Sequence, residues 1–151
     1  LSAILAAMAI TDDKPLSLVH ILSNRIGRAF YNEVETKFGV SLAEWRVMLT
    51  LASEPGVTAA EITNRWAIEK MAVNRAIQRL VDNGHVSRTR DPDDRRSYRL
   101  GLTAKGTKLY DKIAPHANKR YRELISSVSE EELDTMVATL QKMIRRAEDL
   151  N

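Results

Sequence analysis

Residues 68–106 constrain the fold of this chain more than any other stretch. They open with Ile-Glu-Lys-Met-Ala-Val-Asn-Arg-Ala-Ile-Gln-Arg-Leu-Val-Asp-Asn-Gly, in which Val73, Ile77, Leu80 and Val81 recur at i, i+4, i+7 and i+8. That spacing draws one apolar stripe along an α-helix. Gly84 stands where a helix stop belongs. Met71, Arg75, Gln78, Arg79 and Asp82 fall on the opposite face, with Arg75 near its centre. Residues 86–90 and 97–102 then suit two strands, with Tyr98, Leu100 and Leu102 in alternation. Between them, Asp91-Pro92-Asp93-Asp94 is turn chemistry, since Pro fixes φ and Asp accepts local backbone bonds. The turn presents Arg95 and Arg96 at its tip. An amphipathic helix followed by a basic hairpin has the shape of a winged helix-turn-helix. Such a unit lays its helix in a major groove and its hairpin on the flanking backbone or minor groove.

The upstream sequence supplies the rest of that unit. Ser41 with Glu44 and Thr58 with Glu61 are capping boxes, each opening a helix. Trp45, Met48, Leu49 and Ala52 are the expected buried residues of the first, and Pro55-Gly56 breaks the chain after it. The second, over residues 59–66, is the first helix of the helix-turn-helix, and Ala67-Ile68-Glu69 is the turn. Ile68 is expected to anchor the turn. Glu69 is expected in the first turn of the next helix, where its charge suits the dipole.

Longer helices flank this unit. Residues 16–38 carry the stripe Leu18, Ile21, Leu22, Ile26, Ala29, Phe30 and Val34, ending at Gly39. Residues 104–126 read as a helix with Leu109, Ile113, Leu124 and Ile125 apolar and a kink expected at Pro115. Ser129 with Glu132 caps a last helix over residues 130–150, with Leu133, Met136, Val137, Leu140, Met143, Ile144 and Ala147 on one side. A winged unit closes its own small core, so the terminal stripes need another surface. A second copy of the chain is the simplest one, giving a two-fold homodimer; the stripes covering each other within one subunit is the other. Residues 1–10 are short and apolar without a basic start, which suits an arm on a partner subunit better than a signal peptide.

Charge narrows the partner. The net charge is +3, and residues 69–99 hold eight Lys/Arg against five acids, leaving fifteen of each sign elsewhere. The whole excess therefore lies on the helix and hairpin, a local footprint for phosphate. The absence of Cys excludes disulfides, thiolate zinc sites and thiol redox sensing. No apolar run reaches the roughly 18 residues of a membrane span, so no membrane partner and a cytoplasmic location are expected.

The residues now carry a resemblance. Asp94-Arg95-Arg96, followed by Leu102-Thr103 and Gly106, resembles the D-x-R…L-T-x-x-G wing signature of the MarR family of bacterial transcriptional regulators. Ser41-Leu42-Ala43-Glu44-Trp45-Arg46 is similar to the family's second helix, and the likeness covers roughly residues 16–150. It implies a dimeric winged-helix DNA-binding protein, usually a repressor released by a small ligand or by oxidation. Ala72 departs from the pattern, since many members carry Ser or Thr there. Members often bind aromatic anions between the dimer helices and the winged unit, which points to Tyr31, Trp45 and Arg46 as effector-pocket residues.

Other chemistry finds little support. His20, His85 and His116 are far apart and lack Cys or nearby carboxylate companions, so no metal site is expected. No phosphate loop, nucleophile elbow or zinc-protease helix occurs, so no enzyme and no cofactor are expected. The acidic loop lacks the Glu that would complete a calcium site.

The expected architecture is mainly α with a two-stranded β wing: an N-terminal arm over 1–15, dimerisation helices over 16–38 and 104–151, and the winged helix-turn-helix over 39–103, in one compact domain. Lys70, Ala72, Asn74, Arg75, Gln78 and Arg79 are expected to face the major groove or its phosphates, with Arg95 and Arg96 on the wing. Arg75 is placed for a bidentate contact to guanine O6 and N7. Arg96 would enter the minor groove, and Asp94 would brace the wing. The expected partners are double-stranded DNA, a second copy of the chain and a small aromatic or anionic effector. A winged-helix protein-interaction module, docking an acidic protein on the same basic face, is the alternative.

Overall fold

A computed structural model describes residues 14–150. The arm expected over residues 1–15 lies almost wholly outside the described residues. Helix α1 (Pro15–Phe30) begins with Pro at its first position, where a missing N–H costs nothing. It does not run as one α-helix to Gly39. A π-helical turn, Tyr31–Glu35, interrupts it, and a last α turn, Thr36–Phe38, follows. The Tyr31 carbonyl accepts from both the backbone N–H and the hydroxyl of Thr36, so the wider turn leaves that carbonyl satisfied. Gly39 ends the run at φ 66°. Of the expected stripe only Val34 is buried; Leu18, Leu22 and Ile26 stay exposed.

Helix α2 (Leu42–Ser53) is the centre of the winged unit, with α3 (Ala59–Trp66), α4 (Lys70–Asp82) and strand β2 (Tyr98–Leu102) all packed on it. Being covered from several directions, it buries a wide arc. Trp45 and Met48 are buried as expected, joined by Val47 and Leu51, whereas Leu49 is half-buried and Ala52 exposed. Both expected capping boxes form: Ser41 accepts from the Glu44 N–H while Glu44 accepts from the Ser41 N–H, and Thr58 and Glu61 do the same. Helix α3 ends at Ala67 in the left-handed region, φ 48°. Ile68 in the turn is half-buried, less than a core anchor.

Helix α4 buries Val73, Ala76, Ile77 and Leu80. It stops as its sequence suggests. Gly84, at φ 73°, donates to the Val81 carbonyl and His85 to the Leu80 carbonyl, the paired bonds of a Schellman ending. Strand β1 (Val86–Arg90) then pairs antiparallel with β2, from Val86 opposite Leu102 to Arg90 opposite Tyr98. The far edge of β2 is used as well: Leu100 donates to the Val57 carbonyl and accepts from the Gly56 N–H. Residues 56–57 thus add a third rung that ties the wing to the α2–α3 connection. Leu100 is buried, but Tyr98 points to solvent under the Arg90 guanidinium, 5.8 Å from its ring centre.

Helix α5 (Ala104–Ile125) starts against the end of α4. The Thr103 hydroxyl donates to the Gly84 carbonyl and accepts from the Gly106 N–H, and the Thr103 N–H bonds to the His85 carbonyl. A Cβ on Gly106 would lie 2.0 Å from that same carbonyl oxygen, so only glycine fits. The Leu-Thr-x-x-Gly spacing is thus the joint between wing and α5. Pro115 lies within the unbroken α5, where its missing N–H removes one bond to the carbonyl a turn earlier.

The described chain forms two compact units, one up to His116 and one from Ala117 onward. In the second, Ser129 and Glu132 form the expected capping box of α6 (Glu130–Glu148). Its apolar side is open: Met136, Val137, Met143 and Ile144 are exposed, and Leu133 and Leu140 half-buried. No helix among the described residues is long and apolar enough to cross a membrane.

Candidate nucleic-acid interface

Helix α4 turns its four buried residues inward, and an α-helix rotates about 100° per residue. The opposite side therefore follows Met71, Arg75, Gln78 and Asp82, and all four are exposed. Lys70 is exposed beside them, while Ala72 and Asn74 are half-buried on the flanks. The Arg75 guanidinium is 69% exposed and only 4.0 Å from Glu69, too loose a pair to hold it. It is free to present a planar fork to a base edge. The Gln78 amide donates to Asp82 at 2.6 Å, which leaves its carbonyl oxygen for another donor.

Glu69 is not in the first turn, as the sequence suggested, but is the N-cap of α4. Its carboxylate accepts from the N–H groups of Met71 and Ala72, both at 2.9 Å. Those amides would otherwise bind a phosphate at the helix start. With the Glu69 carboxylate on them, these two amides are not open to an anion.

Arg79 has a second role that sequence alone did not reveal. Its Nε lies 3.5 Å from Glu44, whose carboxylate is 3% exposed. Glu44 is the residue that closes the α2 capping box. A buried carboxylate is costly without a counter-charge, and Arg79 supplies it while tying α4 to α2.

The wing has two braces. Asp94 accepts from the Arg96 N–H at 2.9 Å and its carbonyl from the Ser97 N–H, which closes the tip locally. The deeper brace is Asp91. It accepts from the Asp93 N–H at 2.9 Å and pairs with Arg99 at 2.7 Å, and Arg99 also donates to the Gly56 carbonyl. The Asp93 N–H bond, with Arg99 adding to it, holds the Asp91 carboxyl below its usual range. The Asp-Pro-Asp turn pattern hinted at the first of these bonds; nothing local in sequence links Asp91 to Arg99 or Gly56. Arg88, Arg90, Arg95 and Arg96 are all exposed on this hairpin.

The three expected effector residues have different neighbours. Trp45 is buried between the rings of Phe30, 6.2 Å away and tilted, and Tyr110, 5.3 Å away and stacked. Arg46 is half-buried with its guanidinium 5.3 Å from the Trp66 ring centre, and burial lowers its pKa. Tyr31 opens the π turn and is exposed.

A short helix, a turn, a second helix with an open polar face and a paired, arginine-rich wing define a winged helix-turn-helix DNA-binding protein. Comparison with known proteins gives the family. The model of the MarR family matches residues 38–97. The HTH-type transcriptional repressor Mb2911 of Mycobacterium bovis is 30% identical over 105 residues, covering 68% of this chain and 73% of the relative. A crystal structure of a MarR-family transcriptional regulator from Silicibacter pomeroyi superposes with a TM-score of 0.80 at 25% identity, covering 93% of this chain and 94% of that one. Bordetella bronchiseptica BpsR, a protein whose DNA binding is regulated by 6-hydroxynicotinic acid, has a TM-score of 0.73 at 22% identity over 83% of this chain and 95% of its own. The chain belongs to the MarR family and is a DNA-binding transcriptional regulator.

Proposed function

We propose that the protein is a homodimeric repressor that reads an inverted-repeat operator and is released by a small aromatic anion. The observation that carries the DNA reading is the open face of α4, where Arg75 stands exposed with only a distant carboxylate near it. Lys70, Ala72, Asn74, Arg75, Gln78 and Arg79 meet the major groove or its phosphates, and Arg95 and Arg96 meet the flanking DNA. Asp94 and Asp91 hold the wing in place. The apolar sides of α1 and α6, exposed in the single chain, support a dimer through residues 16–38 and 104–151.

The effector reading rests on Arg46. No carboxylate among the described residues pairs with this half-buried guanidinium, and its contact is the face of Trp66. An incompletely solvated, unpaired cation beside aromatic side chains suits an aromatic carboxylate. BpsR, related in fold, responds to an acid of that chemical kind. Tyr31, exposed at the start of the π turn, and Trp45, next to Arg46 on α2, are the other residues assigned to the proposed pocket. Such a ligand must favour the conformer that does not fit DNA, or it shifts nothing.

A random duplex library selected with the wild-type protein tests this reading. The expected consensus is an inverted repeat with half-site centres one helical turn apart, about 34 Å, bound by two chains. Benzoate- and hydroxybenzoate-type acids should release it, and Arg46→Ala should blunt that response. Leu140→Lys with Ile144→Lys should give monomers that lose the operator, because the buried lysines would be unpaired. A wild-type monomer in sedimentation, or binding without sequence preference, would overturn it.

A further inference from the structure

The outward side of α4 carries one side chain that cannot do what its neighbours there do. Along the outward side of α4 the order is Met71, Arg75, Gln78, Asp82. Three of these are charged or polar; Met71 is apolar and 56% exposed. It lies diametrically opposite the buried Val73, Ala76, Ile77 and Leu80, so the protein core does not explain its presence. It also sits in the first turn, the part of a recognition helix that meets base edges.

The chemistry available to Met71 is narrow. A thioether has no proton to donate and is a weak acceptor, so it can neither hold a phosphate nor distinguish base edges by hydrogen bonds. Its own backbone N–H is occupied by the Glu69 carboxylate at 2.9 Å. What remains is apolar contact by a long, unbranched side chain that adapts to an irregular surface. The major groove offers one apolar feature that varies with sequence, the C5-methyl of thymine. We infer that Met71 reads a thymine methyl in each half-site, and that it sets specificity beside Arg75. This rests on α4 entering the major groove. Met71 and Arg75 are four residues apart, about 6 Å along the helix, which is under two base steps at about 3.4 Å each. The thymine therefore falls within about two base pairs of the guanine contacted by Arg75.

Replacing thymine by uracil removes that methyl and nothing else. The test takes the duplex consensus selected by the wild-type protein and substitutes uracil for each thymine in turn, with affinity read by fluorescence anisotropy. At one position per half-site the wild type should lose about fourfold, the worth of one buried methyl. Met71→Ala should bind thymine and uracil equally at that position and keep its guanine preference at the Arg75 position. Met71→Leu should keep most of the thymine preference. The side chain is exposed, so these variants should fold as the parent does. If Met71→Ala discriminates thymine from uracil everywhere as the parent does, or the parent never discriminates, the inference is wrong while groove reading stands. If no consensus is selected at all, groove reading fails with it.

Discussion

Gly106→Ala offers a sharp test of how the wing, α4 and α5 are joined. The added methyl carbon would lie 2.0 Å from the His85 carbonyl oxygen and 2.9 Å from its carbon, both backbone atoms that cannot rotate away. Relief requires a shift of about 1 Å between the start of α5 and the end of α4, where His85 closes the Schellman ending. Three hydrogen bonds cross or support that joint: Thr103 N–H to His85 at 3.0 Å, the Thr103 hydroxyl to Gly84 at 2.7 Å, and Gly106 N–H to the Thr103 hydroxyl at 3.0 Å. At about 1 kcal/mol net each, their loss costs about 3 kcal/mol. For a chain of this size that is a fall in Tm of about 6–12 °C. Urea and thermal melts at fixed protein concentration measure it. Gly101→Ala is the control, because its added carbon would meet only the Ser87 hydroxyl at 3.7 Å, an ordinary contact. A Gly106→Ala loss below about 1 kcal/mol, or one no larger than that of Gly101→Ala, would refute the close-approach account.

Two further outcomes are expected. Asp91→Ala should weaken binding to all DNA sequences about equally and speed amide exchange over residues 91–97, and should do both more than Asp94→Ala, because Asp91 ties the wing to Arg99 and so to Gly56; equal effects of the two changes would count against this order. His85 is held below its ordinary pKa by burial and then by Lys105, with Glu44 opposing. The unfolded chain takes up that proton near pH 6.5 and the folded chain resists it, so stability should fall as pH drops below about 6.5. His85→Gln should flatten that part of the stability profile, and an unchanged slope would show that His85 does not contribute.

Much of this architecture was legible because local chemistry and tertiary packing agree. The Ser41–Glu44, Thr58–Glu61 and Ser129–Glu132 spacings each gave a capping box, and Gly39 and Gly84 each end a helix in the left-handed region. Legibility failed where a partner is distant in sequence. Glu44 reads as a cap, yet it also neutralises Arg79, 35 positions away. Asp91 reads as turn chemistry, yet it also pairs with Arg99 on the other strand. The strand alternation put Tyr98 with Leu100, but at the turn end of the hairpin Tyr98 stays exposed, and Arg90 covers its face instead. The π turn at Tyr31–Glu35 has no simple sequence signal, since its residues suit an α-helix equally well.

The central claim is that α4 reads bases while the wing grips the flanking DNA. Binding profiles of wild type, Arg75→Ala and Arg96→Ala across one randomised operator library address it directly. Arg75→Ala should cost about 1–3 kcal/mol per half-site and erase the preference at a single base position. Arg96→Ala should weaken every sequence more evenly, with its remaining sensitivity confined to A·T content at the site edges, where groove width is read. Equal, sequence-independent losses for the two variants would contradict base reading by α4.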